Sequence, residues 1–185
     1  MNKDAAIIIK RILKDIKVEL GDEFDQNFER QAFFSKAWER KRSPVNANKP
    51  ILINTGTLRR SIRSRETETS IVFYTDLPYA GIHNEGGDIV VTAKMKRFFW
   101  AKYYEATGSF GRKKNGERRN DKKTVRLSNE ADFWQCMALM KVGSKITIPK
   151  RRFLGASPEV EHSVREIIEE NITEYFDKDF KVIVK

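Results

Sequence analysis

Isoleucine and leucine recur at steps of three and four through the first twenty positions. Ile8, Ile9, Ile12, Leu13, Ile16 and Leu20 fall on one helical face, and Lys10, Lys14 and Lys17 face elsewhere. Asp4 is placed to cap this helix and Gly21 to end it as a C′ glycine. Phe24 and Phe28, four apart, predict a second short helical segment. Phe33, Phe34 and Trp38 read as anchors that pin an irregular segment to the body. Residues 39–50 carry charge and turn formers (Pro44, Asn46, Asn48, Pro50) and read as a loop, followed by the brief apolar run Ile51 to Ile53. Thr55 is then positioned to cap a single helical turn in which Leu58 and Ile62 share a face. Arg59, Arg60, Arg63 and Arg65 point away from it.

Residues 70–75 are β-branched and aromatic and predict a strand. Asp76 to Pro78 reads as a turn. Tyr79 to Asn84 reads as the antiparallel partner strand, with Ala80 and Ile82 on one face, ended by Gly86 and Gly87. Ile89 to Thr92 is a further extended run. Met95, Phe98, Phe99, Lys102 and Tyr103 predict a helix from Ala93 to about Glu105, and residues 106–127 a polar loop. Ser128 is placed to cap the next helix, which carries Phe133, Trp134, Met137, Leu139 and Met140. Residues 145–148 alternate as a strand. Ser157, Pro158 and Glu159 open a long amphipathic helix with Val160, Val164, Ile167, Ile168, Ile172 and Phe176 as its apolar stripe. Phe180, Val182 and Val184 alternate in a closing strand. The class is α+β: an antiparallel sheet packed by N-terminal and C-terminal helices, with a basic helical insert at about 93–144 in one domain spanning 1–185.

Composition narrows this picture. A chain of 185 residues buries about 70% of its unfolded surface. Twelve Phe and three Trp within a 39% hydrophobic content can fill a core, which argues against wholesale disorder. The formal net charge is +10, so an anionic partner, nucleic acid first, stands against a merely solvated basic surface. The charge is not spread evenly. Residues 93–127 hold twelve Lys or Arg against three acids, whereas 158–185 hold eight acids against four bases. Arg112, Lys113, Lys114, Arg118, Arg119, Lys122 and Lys123 are the candidate contacts with nucleic acid or a partner protein. The aromatics interleaved in this segment suit stacking on a single strand. They equally suit packing of the inserted helices, with the loop left to float or to dock on an acidic neighbouring subunit.

Catalytic chemistry finds little support. The lone Cys136 rules out an internal disulfide and a cysteine-only metal cluster, and it sits in an apolar stretch that predicts a buried thiol. His83 and Glu85, with Asp88 nearby, would need a third placed ligand to hold a metal for a hydrolase. The simpler reading of His83 is a polar residue at a strand end or a subunit contact. The run Thr55 to Ser61 lacks the Gly-Lys-Ser/Thr ending of a phosphate-binding loop. Glu169 and Glu170 read as solvent-facing. No catalytic, cofactor or metal residue is assigned. Three apolar residues before Lys10 make no signal peptide, and no apolar run is long enough to span a bilayer. The chain is therefore expected to be made and kept in a cytoplasm, with no membrane partner.

Three punctuated runs carry a resemblance. The first is Leu52, Thr55, Gly56, Leu58, Arg59 and Ser61; the second Tyr79, Ala80, Ile82, His83, Gly86 and Gly87; the third Ile148, Pro149, Arg151, Phe153, Leu154 and Gly155. In this order, with Trp38 ahead of them, they resemble the signatures of the phage virion morphogenesis (tail completion) family of Mu-like phages. The resemblance implies a non-enzymatic virion component that completes the tail and joins it to the head. It would work at the neck as a ring, with six-fold symmetry expected by analogy with neck rings. Its partners would be copies of itself, head–tail connector and tail-tube proteins, with contact to packaged DNA left open. Assembly would take place in the host bacterial cytoplasm. Physically the motifs read as scaffold. Glycines supply permissive turns, Tyr79 and Phe153 anchor sheet to helix, and Arg59, Arg60, Arg151 and Arg152 are exposed candidates for ion pairs to a neighbouring subunit.

Overall fold

The computed structural model describes residues 3–179, so the closing strand expected at Phe180 to Val184 lies outside the described residues. Helix α1 spans Lys3–Arg30 as one element. Gly21 does not end it. Its interior position costs about 1 kcal/mol relative to alanine, but Phe24 and Phe28 beyond it are 2% and 0% exposed, and each contributes roughly 2–3 kcal/mol by leaving water. Burial of the next two turns therefore outweighs the glycine, and the two predicted segments merge. A Cβ at Gly21 would meet nothing closer than a Phe73 ring carbon at 4.0 Å. Gly21→Ala is accordingly expected to raise stability by about 0.5–1 kcal/mol in urea unfolding.

After α1 the chain reverses through Gln31 (φ 56°) into a short ribbon, β1 (Ala32–Phe33) with β2 (Lys36–Ala37). Phe34 takes a left-handed φ of 50°, and its N–H donates to the buried Asn27 side chain at 2.9 Å. A 3-10 turn at Arg59–Ser61 leads into β3 (Arg63–Glu66), which pairs antiparallel with β4 (Ile71–Tyr74). Helix α2 (Ala80–Glu85) and strand β5 (Gly87–Val90) follow. Helices α3 (Ala93–Gly108) and α4 (Lys122–Leu139) precede β6 (Lys145–Ile148) and α5 (Pro158–Asp179).

The α+β class holds, but the strands form three separate two-stranded ribbons and not one sheet. The cause is local. Ala80 to Glu85 is helix with Tyr79 as its N-cap, so β4 pairs with β3 and β5 pairs with β6. Six residues are too few for a period of 2 to be told from 3.6. The helical reading places Ala80 in the core, 4% exposed, with Asn84 one turn on.

Helices α1 and α5 lie antiparallel, tied by Asn171 donating to Asp15 at 2.9 Å and, near the other end, by Ser35 donating to Glu159 at 2.9 Å. Ser157 caps α5 as expected, accepting from the Val160 N–H at 3.3 Å. One core cluster gathers Ile16, Leu20, Phe24, Phe33 and Ile167, with Ile71 and Phe73 of β4 packed on it. A second gathers Phe28, Trp38, Leu58, Ala80 and Phe153.

The insert is a helical hairpin carried on the β5–β6 ribbon. Thr92 caps α3 and Asp121 caps α4, so α4 starts seven residues before the expected Ser128. Phe99 and Trp134 stack at 5.9 Å between the two helices. The connecting segment does not float. Arg119 N–H donates to the Gly111 carbonyl and Lys113 N–H to the Glu117 carbonyl, both at 2.7 Å, which closes a tight β-like turn. Cys136 is exposed, not buried. It stands five residues past the buried Ala131, about 140° round the helix from the packed stripe.

Candidate functional site

The second and third sequence runs meet backbone to backbone. Asn84, one turn beyond Ala80, accepts from the Phe153 and Leu154 N–H groups at 2.9 and 3.1 Å. Its amide donates back to the Leu154 carbonyl at 3.0 Å. The Arg151 N–H donates to the His83 carbonyl at 2.8 Å. Gly86, at φ 72° and ψ −178°, lies so close to the third run that a Cβ there would sit 2.8 Å from the Lys150 nitrogen. Gly87 then pairs with Ile148 at the start of the β5–β6 ribbon. Asn84 is the residue that sequence reasoning missed. A helical reading of Ala80 and Asn84 would have aimed its amide at the same side as the buried alanine.

The first run joins through its side chains. Leu58 enters the cluster with Ala80 and Phe153. Ser61 Oγ donates to the Leu58 carbonyl and shares a hydrogen bond with Thr75, both at 2.7 Å. Leu52, left-handed at φ 59°, packs against the same core. Thr55 does not cap the turn. Its hydroxyl pairs with Thr57 at 2.7 Å, and no side chain caps the 3-10 segment. Gly56 (φ 74°) is overlain by the Arg60 guanidinium, which donates to the Thr55 carbonyl at 2.8 Å. Gly155 (φ 130°) similarly makes room for the Arg152 guanidinium. Leu154 bridges both core clusters. Pro149, partly buried, separates β6 from Arg151.

The four arginines expected to reach a neighbour divide. Arg59 is bound within the chain, donating through Nε to Asp25 at 2.5 Å and through Nη2 to Glu29 at 2.8 Å of α1. These hydrogen bonds raise the guanidinium pKa and hold Asp25 below its usual value. Arg151 is buried, donates through Nε to the Glu39 carbonyl at 3.0 Å, and has its pKa lowered by desolvation. Arg152 is partly buried, 5.2 Å over the Phe33 ring, and its carbonyl accepts from Trp38 Nε1 at 2.6 Å. Of the four, Arg60 alone is exposed.

His83, Glu85 and Asp88 do not converge. Glu85 is taken by Lys150 at 2.9 Å, which lowers its pKa, and Asp88 by Thr147 at 2.8 Å and Lys145 at 3.3 Å. Among the described residues no group of three or more His, Cys, Asp and Glu side chains is arranged to hold a metal ion. His83 is partly buried, set edge-on to Tyr79 at 6.2 Å, and its Nδ1 is buried without a hydrogen-bond partner. Burial, and then the Arg151 charge, push its pKa below 6.5. The unfolded chain therefore binds more protons than the folded one just below that pH. This contribution to stability is full above pH 6.5 and is lost as pH falls toward the depressed folded value. Between about pH 7.5 and about pH 5.5 the urea midpoint should drop further in wild type than in His83→Gln; equal drops would contradict this.

The basic candidates are brought together on one element. Arg112, Lys113, Lys114, Arg118, Arg119, Lys122 and Lys123 are all exposed, on the α3–α4 turn and the first turn of α4. Lys113 pairs with Glu117 at 3.1 Å, and the Arg118 guanidinium lies 4.3 Å over the Phe110 ring. Among the described residues no helix is long and apolar enough to cross a membrane.

The three runs thus meet in turns, in the backbone contacts of the Asn84 amide and in one core cluster. The class these features define is a structural scaffold bearing a charged projection. The chain belongs to the phage virion morphogenesis family, which it matches over residues 8–173. It is accordingly a phage structural protein, associated with the virion. No curated protein and no solved structure matches the chain at a significant level.

Proposed function

We propose that the protein completes the phage tail and joins it to the head, acting without catalysis as one copy in a ring at the neck. Its neighbours would be further copies, the head–tail connector and the tail tube. The family match carries this reading. It is supported by the use of all three runs in holding the fold together. The exposed basic hairpin and the acidic α5 are then left for contacts between molecules. A ring needs two different, complementary surfaces on each copy, because head-to-tail contacts close by rotation. The test is localisation: a small epitope inserted at Gly143, which is exposed with open space around it, should label intact virions at the junction of head and tail. Label confined to the tail tip, or absent from virions, would overturn the reading.

A further inference from the structure

The surface charge of the described residues is strongly divided. On the insert, Lys102, Lys113 and Arg126 have carboxylate partners. Arg112, Lys114, Arg118, Arg119, Lys122 and Lys123 have none within ion-pair distance among the described residues, and all six are exposed. The segment is fixed by its own hydrogen bonds, so its charges are presented together and not dispersed over a loop ensemble.

Across the molecule, Glu169, Glu170, Glu174 and Asp177 border one shallow depression on α5. Glu174 is taken by Arg11. Glu169, Glu170 and Asp177 are exposed and have no cation within ion-pair distance among the described residues. The patch continues toward Glu19 of α1, whose pKa is raised by burial first and then by Glu170 and Glu166 of α5 and Glu23 and Asp15 of α1. Mutual repulsion on one face and unpaired cations on another both cost free energy in the isolated chain. Both are relieved if the two faces meet on different copies.

We propose that the α3–α4 turn of one copy docks on the acidic α1–α5 face of the next, making the repeating contact of a head-to-tail assembly. The inference deepens the ring reading and rests on it. The α5 carboxylates border a shallow depression and the basic charges sit on an ordered turn, so the pair is complementary in sign. Duplex DNA, the other polyanion available, would use the turn alone and leave the acidic face unpartnered.

The test uses two charge-reversed full-length chains. One carries Lys114→Glu, Arg119→Glu, Lys122→Glu and Lys123→Glu. The other carries Glu169→Lys, Glu170→Lys and Asp177→Lys. All seven sites are exposed, so both variants should keep the wild-type circular dichroism and melting behaviour. By sedimentation, wild type should self-associate, with affinity falling roughly tenfold or more as salt rises from about 0.05 to about 0.5 M. Each variant alone should lose association by roughly 100-fold. Mixed together they should regain it, because each then offers the other a complementary face; a merely structural role for these residues would not produce that rescue. Association that survives in either variant, a mixture that stays dissociated, or wild type that never associates would each overturn the inference. So would a turn variant that loses DNA binding while copy-to-copy association persists. None of these outcomes moves the epitope from the head–tail junction, so the contact can fail while the neck reading stands.

Discussion

Phe153→Ala is expected to cost about 4 kcal/mol of folding stability, the middle of the range for removing a buried aromatic ring. Phe153 is 1% exposed and lies 5.4 Å, ring centre to ring centre, from Phe28, which is itself fully buried. Its cluster also holds Trp38, Leu58 and Ala80, which come from four separate stretches of chain with Phe28. No single neighbour can move to fill the space, because the backbone on either side of Phe153 is fixed by Asn84 and by Trp38. Urea unfolding should show the loss as a lower midpoint with little change in slope. A cost below about 2 kcal/mol would mean that the site collapses, and that the three runs are less tightly joined than their contacts indicate. Phe153→Leu should recover much of the difference, since most of the apolar volume returns.

Gly86→Ala should cost about 3 kcal/mol or more, through two effects that act together. The first is conformational: φ 72° with ψ −178° is a region that essentially only glycine occupies. The second is steric. The new methyl would sit 2.8 Å from the Lys150 nitrogen and 3.1 Å from the Ile148 carbonyl oxygen. Both obstacles are backbone atoms of the third run, so relief requires α2 and that run to separate. Gly81→Ala is the matched control. It lies in α2, the helix that Gly86 terminates, with nothing within 4 Å of a new Cβ, and it should be neutral or stabilise by a few tenths of a kcal/mol. If the two alanine variants unfold at the same urea concentration, the close approach at Gly86 is not what holds the runs together.

The parts of this fold that could be read from the sequence are those with long, unambiguous periods. The stripes of α1, α3 and α5 and the strands β4 and β6 were legible because five or six positions on one face, or strong β-branched content, agreed. Residues 79–84 were misread because Ala80 and Ile82 alternate by chance over a segment too short to decide. That single error also displaced the pairing of β4 and suggested one sheet in place of three ribbons. Gly21 was misread because a helix end and a tolerated interior glycine look alike until the burial of Phe24 and Phe28 is known. The start of α4 was misplaced because Asp121 lies in a charged stretch with no apolar period to flag it. At the candidate site, Phe153 is a buried anchor as read, whereas Tyr79 is 43% exposed and anchors nothing in the core, and the means of joining the three runs was not legible. Asn84 and the carbonyl of His83 act through long-range backbone contacts that leave no local pattern. The sign and position of the basic segment were plain in the sequence. That it forms an ordered turn, and that α1 and α5 together build an acidic face, required the fold.

Particles made without this phage structural protein test the proposed joining of head to tail most directly. Electron microscopy of lysates from a phage carrying a deletion of the gene should show filled heads and assembled tails lying separate, and supplying the protein in trans should restore joined particles. Normal joined virions in its absence would contradict the account.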